Sequence, residues 1–287
     1  MRVDRLFWLA VVVSSGACVN GLPYGLEPLP ADEDDTYEPV VTAPDCRPNN
    51  DGVIERDEMP FVVGAVARIR VGEGPLAVDV DGFEDESGEI TWDFSTPEPA
   101  SQPLGRLELQ TMGGQWYAAD FPGAQYAGPL NPGGSLRGAV RVDDTGVSLL
   151  GSASEDQNPP EGRTHLIYNA PVTLYPFPLQ EGARAVSNVT ATNALLLGLP
   201  TALQDTYDVA VTARGKVILP DLILHNTLRV TLRLRRTLVV GDVQQVTHVF
   251  VHECLGEVAR IVSPTARLAE TLPDNFTTAQ EMWRLSL

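Results

Sequence analysis

This chain is poor in cationic side chains, in cysteine and in long apolar runs. Among 287 residues, 20 lysines and arginines face 38 aspartates and glutamates, for a formal net charge of −18. Lys216 is the single lysine. Such a balance repels phosphates and argues against nucleic acid as a partner. No G-x-S-x-G motif occurs, and no His and Asp stand in the context of a nucleophilic serine. Metal-ligand spacing is scarce. His248 and His252 lie four apart in THVFVHE, but the Val249-Phe250-Val251 run between them predicts a strand. On a strand the two rings would share a face about 13 Å apart. That is too far to share a zinc ion, and no third ligand is at hand. Apart from Leu6–Val13, no apolar run approaches the ~20 residues of a membrane-spanning helix.

What is present begins at that short run. Arg2 and Arg5 precede it and Ser14, Ser15, Gly16 and Ala17 follow it, which is the layout of a secretory signal. Ser15-Gly16-Ala17-Cys18 resembles the lipobox of bacterial lipoproteins. The resemblance implies removal of residues 1–17 and a lipid on Cys18; ordinary cleavage is the alternative. Val19 is not Asp, which in that class implies the outer membrane. The expected location is therefore the cell envelope, with the membrane reached through an N-terminal lipid anchor. Residues 1–17 hold two arginines and one aspartate, so their loss would leave −19. Residues 18–45 repeat proline and carry the acidic run Asp32–Asp35, the composition of a tether between membrane and domain.

If Cys18 takes the lipid, Cys46 and Cys254 remain as an even pair in an oxidising compartment. A disulfide between them is expected, closing a loop of about 208 residues. The chain-entropy description gives such a loop roughly 5 kcal/mol. Two separate buried thiols are the alternative.

The first of these cysteines sits in DCRPNNDGVIERDE, residues 45–58, which reads like a calcium loop. Such a loop needs oxygen ligands at positions 1, 3, 5, 9 and 12 around a glycine at 6. With Gly52 at 6, the ligands are Asn49, Asp51, Glu55 and Glu58. Position 1 falls on Arg47, and Asp45 is the acid that could substitute for it. Two readings stand. One is a weak calcium site, with an affinity of about 10⁻⁴–10⁻³ M, which would make calcium the single cofactor of a chain otherwise expected to need none. The other is a compact Asn-Asp-Gly turn, pinned by Cys46, that caps the domain over residues 46–60. A second acidic stretch, VDVDGFEDESGE at 78–89, lacks ligand spacing and reads as a solvated hairpin.

From Phe61 onward the pattern is that of strands. Tyr207, Val209, Val211 and Ala213 alternate with Asp208, Ala210, Thr212 and Arg214. Leu228, Val230, Leu232 and Leu234 alternate with Arg229, Thr231, Arg233 and Arg235. SLRGAVRVDDTGVSLLG reads as two strands about an Asp-Asp-Thr-Gly turn. TNALLLGLPTALQ, residues 192–204, would make at most one short helix. The predicted class is mainly β: an antiparallel β-sandwich or open half-barrel over residues 61–287, with few short helices. A seam between two sub-domains is a further possibility near 183–192. Arg229, Arg233, Arg235 and Arg236 predict a solvated strand face paired with acids on its neighbour, or a patch for an anionic envelope component.

Four stretches, GEITWDFS (88–95), THLIYNAPVTLYPFPLQEGA (164–183), GKVILPDLILHNTLRV (215–230) and CLGEVARIVS (254–263), together resemble an uncharacterised family of secreted β-rich bacterial proteins. The resemblance implies an extracytoplasmic β fold and carries no catalytic residues. The function expected is a non-enzymatic exported lipoprotein with a binding or structural role at the envelope, its protein or glycan partner unnamed by the sequence. Two alternatives are an envelope glycan hydrolase working through paired carboxylates, and a carrier of an apolar ligand.

Overall fold

The computed structural model describes residues 46–96, 102–239 and 241–286. Cys18, Asp45, the expected leader and the expected tether lie outside the described residues. Eighteen strands follow in chain order: β1 (Val53–Ile54), β2 (Val66–Ala77), β3 (Phe83–Glu84), β4 (Ile90–Asp93), β5 (Leu104–Glu108), β6 (Gln110–Thr111), β7 (Tyr126–Pro129), β8 (Leu136–Asp143), β9 (Gly146–Ser154), β10 (His165–Pro176), β11 (Leu179–Gln180), β12 (Arg184–Leu196), β13 (Leu199–Ile218), β14 (Ile223–Leu238), β15 (Gly241–His252), β16 (Gly256–Val262), β17 (Ala266–Arg267) and β18 (Thr278–Leu285). Helix is confined, among the described residues, to two 3₁₀ turns at Arg56–Glu58 and Ala118–Asp120.

One sheet takes in all strands but β1 and β11, in the order β5-β2-β18-β16-β15-β14-β13-β12-β10-β9-β8-β7-β6. Every pair on this path is antiparallel; β4 alone joins β13 in parallel. Leu109 alone separates β5 from β6 along the chain, so the two ends of the path are neighbours and the sheet must roll up. The result is a nearly closed antiparallel half-barrel, the second of the two architectures expected. At the junction, Arg137 on β8 is buried and donates to the carbonyl of Glu108 at 2.9 Å while pairing with Glu155.

Alternation explains how the strands fill this form. On β13 the odd residues Leu203, Asp205, Tyr207, Val209 and Val211 are buried and their even neighbours are not. The apolar side chains among them join Val140, Leu149, Leu166, Val189, Leu228, Val230 and Val249 in one core spanning β8 to β15, which only the concave face of a rolled sheet can provide. A second core, with Trp92, Phe94, Phe250, Ile261 and Met282, lies on the other face of β13–β18 beneath β3 and β4. Strand β15 is thus covered on both sides, which accounts for its unbroken Val249-Phe250-Val251 run. A register shift between Val211 and Ala213 passes β13 from the first core to the second.

Two stretches differ from the sequence reading. Residues 192–204 form no helix. They are the hairpin between β12 and β13, turned at Leu197 (φ 50°) and Gly198 (φ 76°). Two successive left-handed residues make a two-residue turn whose twist matches the flanking strands, and leucine is an unusual residue for the first of them. Residues 184–192, inside the possible seam, run in strand β12 and pair with β13 from Arg184↔Ala210 to Ala191↔Leu203, so the sheet has no break there.

The 46–60 segment lies against the concave core. Ile54 on β1 and Leu179 on β11 are fully buried and pair across a small separate sheet. Met59 packs into the same core. Cys46 and Cys254 are joined by a disulfide, with Cα atoms 5.6 Å apart, and Cys254 N–H donates to the Glu58 carbonyl at 2.7 Å. We expect replacement of both Cys46 and Cys254 by serine to lower stability by about 2–5 kcal/mol in urea unfolding. Thiol titration of denatured, unreduced protein should find neither cysteine free; two titratable thiols at these positions would contradict the pairing.

Candidate functional site

The half-barrel interior is apolar except for two ionic clusters set at different levels along its strands. Asp205 on β13 and Arg236 on β14 follow the same alternation as their apolar neighbours and so point inward. Arg236 Nε donates to Asp205 Oδ1 at 2.8 Å and its Nη2 to Oδ2 at 2.7 Å. Asp205 is fully buried. Tyr168 on β10 donates to Asp205 Oδ2 at 2.7 Å, and its hydroxyl lies 3.0 Å from that of Tyr207. Burial pushes both tyrosines above the ordinary phenol range, with the Asp205 charge adding to it. Burial also opposes the Arg236 charge, but the bidentate carboxylate more than restores it.

A second cluster sits two strands away. Arg260 on β16 binds Glu257 through Nε at 3.1 Å and through Nη2 at 2.6 and 2.7 Å. Tyr175 on β10 donates to Glu257 Oε1. On a flat sheet β10 and β16 would stand five strand spacings apart, about 24 Å; this hydrogen bond crosses the concavity. The Arg260 guanidinium lies 4.6 Å from the Trp283 ring centre. Trp283 Nε1 donates to Glu281 Oε1 at 2.6 Å. Burial pushes the Glu281 carboxyl up to about 7; the Trp283 hydrogen bond and the Arg260 charge oppose this, and Glu73, directly opposite on β2, adds to it.

Between the clusters lies a pocket of about 230 Å³, partly open to solvent. Its polar lining includes Arg236, Arg260, Glu281, Gln245 and Thr247. Its apolar lining includes Leu130, Leu136, Leu196, Leu234, Leu238 and Val262. Each arginine spends Nε and Nη2 on its own carboxylate, and among the described residues neither Nη1 has a hydrogen-bond partner. Two of a guanidinium's five N–H donors are on Nη1, so each arginine keeps at least those two unspent. The arrangement is a small amphipathic chamber with fixed donors.

The residues singled out from the sequence lie elsewhere. Asn49 Oδ1 accepts from Asp51 N–H at 2.9 Å, Asp51 Oδ1 from Val53 N–H at 2.8 Å, and Glu58 Oε2 from Glu55 N–H at 3.0 Å. Three of the four described candidate ligands thus spend an oxygen on the loop's own backbone. Among the described residues, no three His, Cys, Asp or Glu side chains converge as a metal-holding group. His248 is buried between Thr231 Oγ1 and the Asp274 carbonyl, stacked on Phe276, and burial pushes it down to about 4.

The arginine run divides. Arg236 faces inward, whereas Arg229 and Arg233 face the convex side. Arg229 donates to the Val80 carbonyl at 2.6 Å and covers Trp92; Arg233 holds the Leu272 carbonyl and Asp274. Their partners come from the 78–82 and 272–276 loops, not from acids on the neighbouring strand. Lys216 likewise pairs with Asp85 at 2.8 Å, tying the acidic hairpin to β13. Sequence reasoning missed Asp205, Glu257, Arg260 and Glu281. Asp205 had a signal: alternation from Tyr207 carried two residues back lands on it.

By fold and interior this is an open half-barrel with a charge-paired, amphipathic chamber. The chain matches no protein-family model, no curated protein and no solved structure.

Two measurements probe the interior. Asp205→Asn leaves Arg236 buried without a counter-charge and should cost about 3–5 kcal/mol in urea unfolding. Asp205→Leu combined with Arg236→Met should recover most of that loss. A single-variant cost below about 1 kcal/mol would contradict the pairing. Glu281 has a folded-state value raised above its unfolded one, so its contribution is fully present below about pH 4.5 and lost as pH rises through about 7. Glu281→Gln keeps the acceptor for Trp283. Its midpoint should match wild type near pH 4 and exceed it at pH 8, by on the order of 1–2 kcal/mol after allowance for solvent. An unchanged difference between the two pH values would contradict the assignment.

Proposed function

We propose that this chain is an exported, non-enzymatic lipoprotein, held at the outer membrane through Cys18, whose half-barrel binds a small ligand in its interior chamber. The observation that carries the binding reading is the chamber, in which donors held rigid by carboxylates stand beside an apolar wall. Ligand pockets are commonly apolar with a few placed polar groups. The Cys46–Cys254 disulfide is what an oxidising compartment favours. The net charge of −18 speaks against a nucleic-acid partner. In this reading the 46–60 segment is a structural cap, and a rise in unfolding temperature with millimolar calcium would count against it.

A glycan hydrolase is the second reading, favoured by one feature. Glu281 and Glu73 stand directly opposite on β18 and β2, and cross-strand partners place Cβ atoms about 5 Å apart. Retaining glycosidases hold their carboxyl groups at about that separation. Against it, Glu281 is tied to Trp283 and Arg260 stands close enough to compete for its charge.

Mass analysis of membrane-extracted protein should find a lipid-bearing N-terminal Cys18 with residues 1–17 removed, and Cys18→Ala should shift the protein to the soluble fraction. An intact Met1 would overturn the anchor. Release of reducing ends from envelope polysaccharide, lost in Glu281→Gln, would overturn the non-enzymatic reading.

A further inference from the structure

We propose that one end of the half-barrel is a lipid-docking surface, where Leu199, Val239 and Leu268, carried on turns, enter the interfacial layer of a bilayer. This rests on the lipoprotein reading above for the bilayer and adds which face of the domain meets it. Short hairpin turns are ordinarily built from Asn, Asp and Gly. Here the β12–β13 turn reads Leu196-Leu197-Gly198-Leu199, and the two residues between the paired Leu238 and Gly241 are Val239 and Val240. Leu197 holds a left-handed conformation that leucine adopts only at a cost. Leu199 is 57% exposed, Val239 89% and Leu268 39%. No other large hydrophobic side chain among the described residues is as exposed as Val239. The registers set the three at one end. Leu203 pairs with Leu238, so Leu199 lies beyond the end of β14; Leu268 N–H donates to the Asp242 carbonyl at the start of β15.

Shape, charge and reach select lipid as the occupant. Three side chains on separate turns fall far short of the ~800 Å² per partner that a stable protein interface buries. A fluid interfacial layer accepts separate apolar points, because binding there scales with the apolar area buried. Arg163, Arg235 and Arg267 stand about these turns with Glu161, Asp242 and Glu270, a balance of signs in a chain of net −18. The opposite end carries the acidic 78–89 hairpin. Its exposed Phe83 sits among Asp79, Asp81, Glu84 and Glu86, which an anionic headgroup layer repels. Cys46 is tied to Cys254 at the far end of β15 from Val239, about 40 Å away. Residues 18–45, rich in proline, would span up to about 85 Å if extended. A lipid on Cys18 therefore leaves the domain free to lay its far end on the same bilayer.

The test is quenching of a placed tryptophan by lipid. Wild type, Val239→Trp, Leu199→Trp and Phe83→Trp are mixed as whole mature protein with phosphatidylcholine–phosphatidylglycerol vesicles bearing brominated acyl chains. Circular dichroism reads the fold and mass analysis reads the lipid on Cys18. The fluorescence added at 239 and 199 should be quenched at least about threefold more than that added at 83. Equal quenching at the two ends, or quenching at 83 alone, would overturn the docking face. No quenching at any of the three in lipid-bearing protein would overturn the docking and leave the anchor standing. Quenching at 239 in protein whose Cys18 bears no lipid would overturn the anchor and leave the docking standing. Emission at 239 that shifts to the blue with rising protein concentration, without vesicles, would show that the turns meet a second copy and would overturn the lipid assignment.

Discussion

Both oxygens of Asp205 rest on the Nε and Nη2 of Arg236, inside a sheet rolled upon itself. Much else in the interior is arranged around that pairing. A rolled sheet turns one face into a concavity that must be filled at close-packed density. Valine and leucine fill its middle. Toward the cavity the filling is ionic, and burial of charge is tolerated only when each charge is paired and its remaining polar atoms are bonded. Tyr168 and Tyr207 complete the first pair, and Tyr175 completes the Glu257–Arg260 pair. Tyr168 and Tyr175 reach across from β10, so the contacts that satisfy the charges also tie distant strands of the curled sheet together.

That geometry links closure to chemistry. Leu109 forces the two ends of the strand path together. Arg137 and Glu155 plug the junction. The Cys46–Cys254 disulfide holds the cap formed by Ile54 and Met59 over the concave core. With the sheet curled and capped, Arg236 and Arg260, two strands apart, come to line the same pocket. No single element builds the chamber; it exists because the sheet rolls.

The strands were legible because they are local. Alternation at Tyr207–Ala213 and Leu228–Leu234 names faces that the structure keeps, up to the register shift beyond Val211. The Asp143–Gly146 turn and the 78–89 hairpin were likewise readable from turn residues. Leu197 was not, since leucine rarely takes a left-handed turn position. Arg236 sat in view within the arginine run, yet its face was read with the wrong neighbours; stepping by two from Leu234 would have turned it inward. Glu257, Arg260 and Glu281 carried no sequence signal at all. Their partnership with Tyr175 depends on β10 and β16 meeting across the concavity, and that follows from topology, which periodicity does not encode.

An ion-paired interior is tested most directly by hydrogen exchange at arginine side chains, followed by nitrogen-15 NMR. The Nε–H groups of Arg236 and Arg260 are bonded to carboxylates on side chains 16% and 19% exposed, whereas the Arg106 side chain is 51% exposed and serves as the internal reference. Signals from Arg236 and Arg260 that persist in heavy water long after that of Arg106 has vanished are the predicted result. Loss of all three together would mean that water reaches the pairs freely, and the interior described above could not be what holds the sheet in its curl.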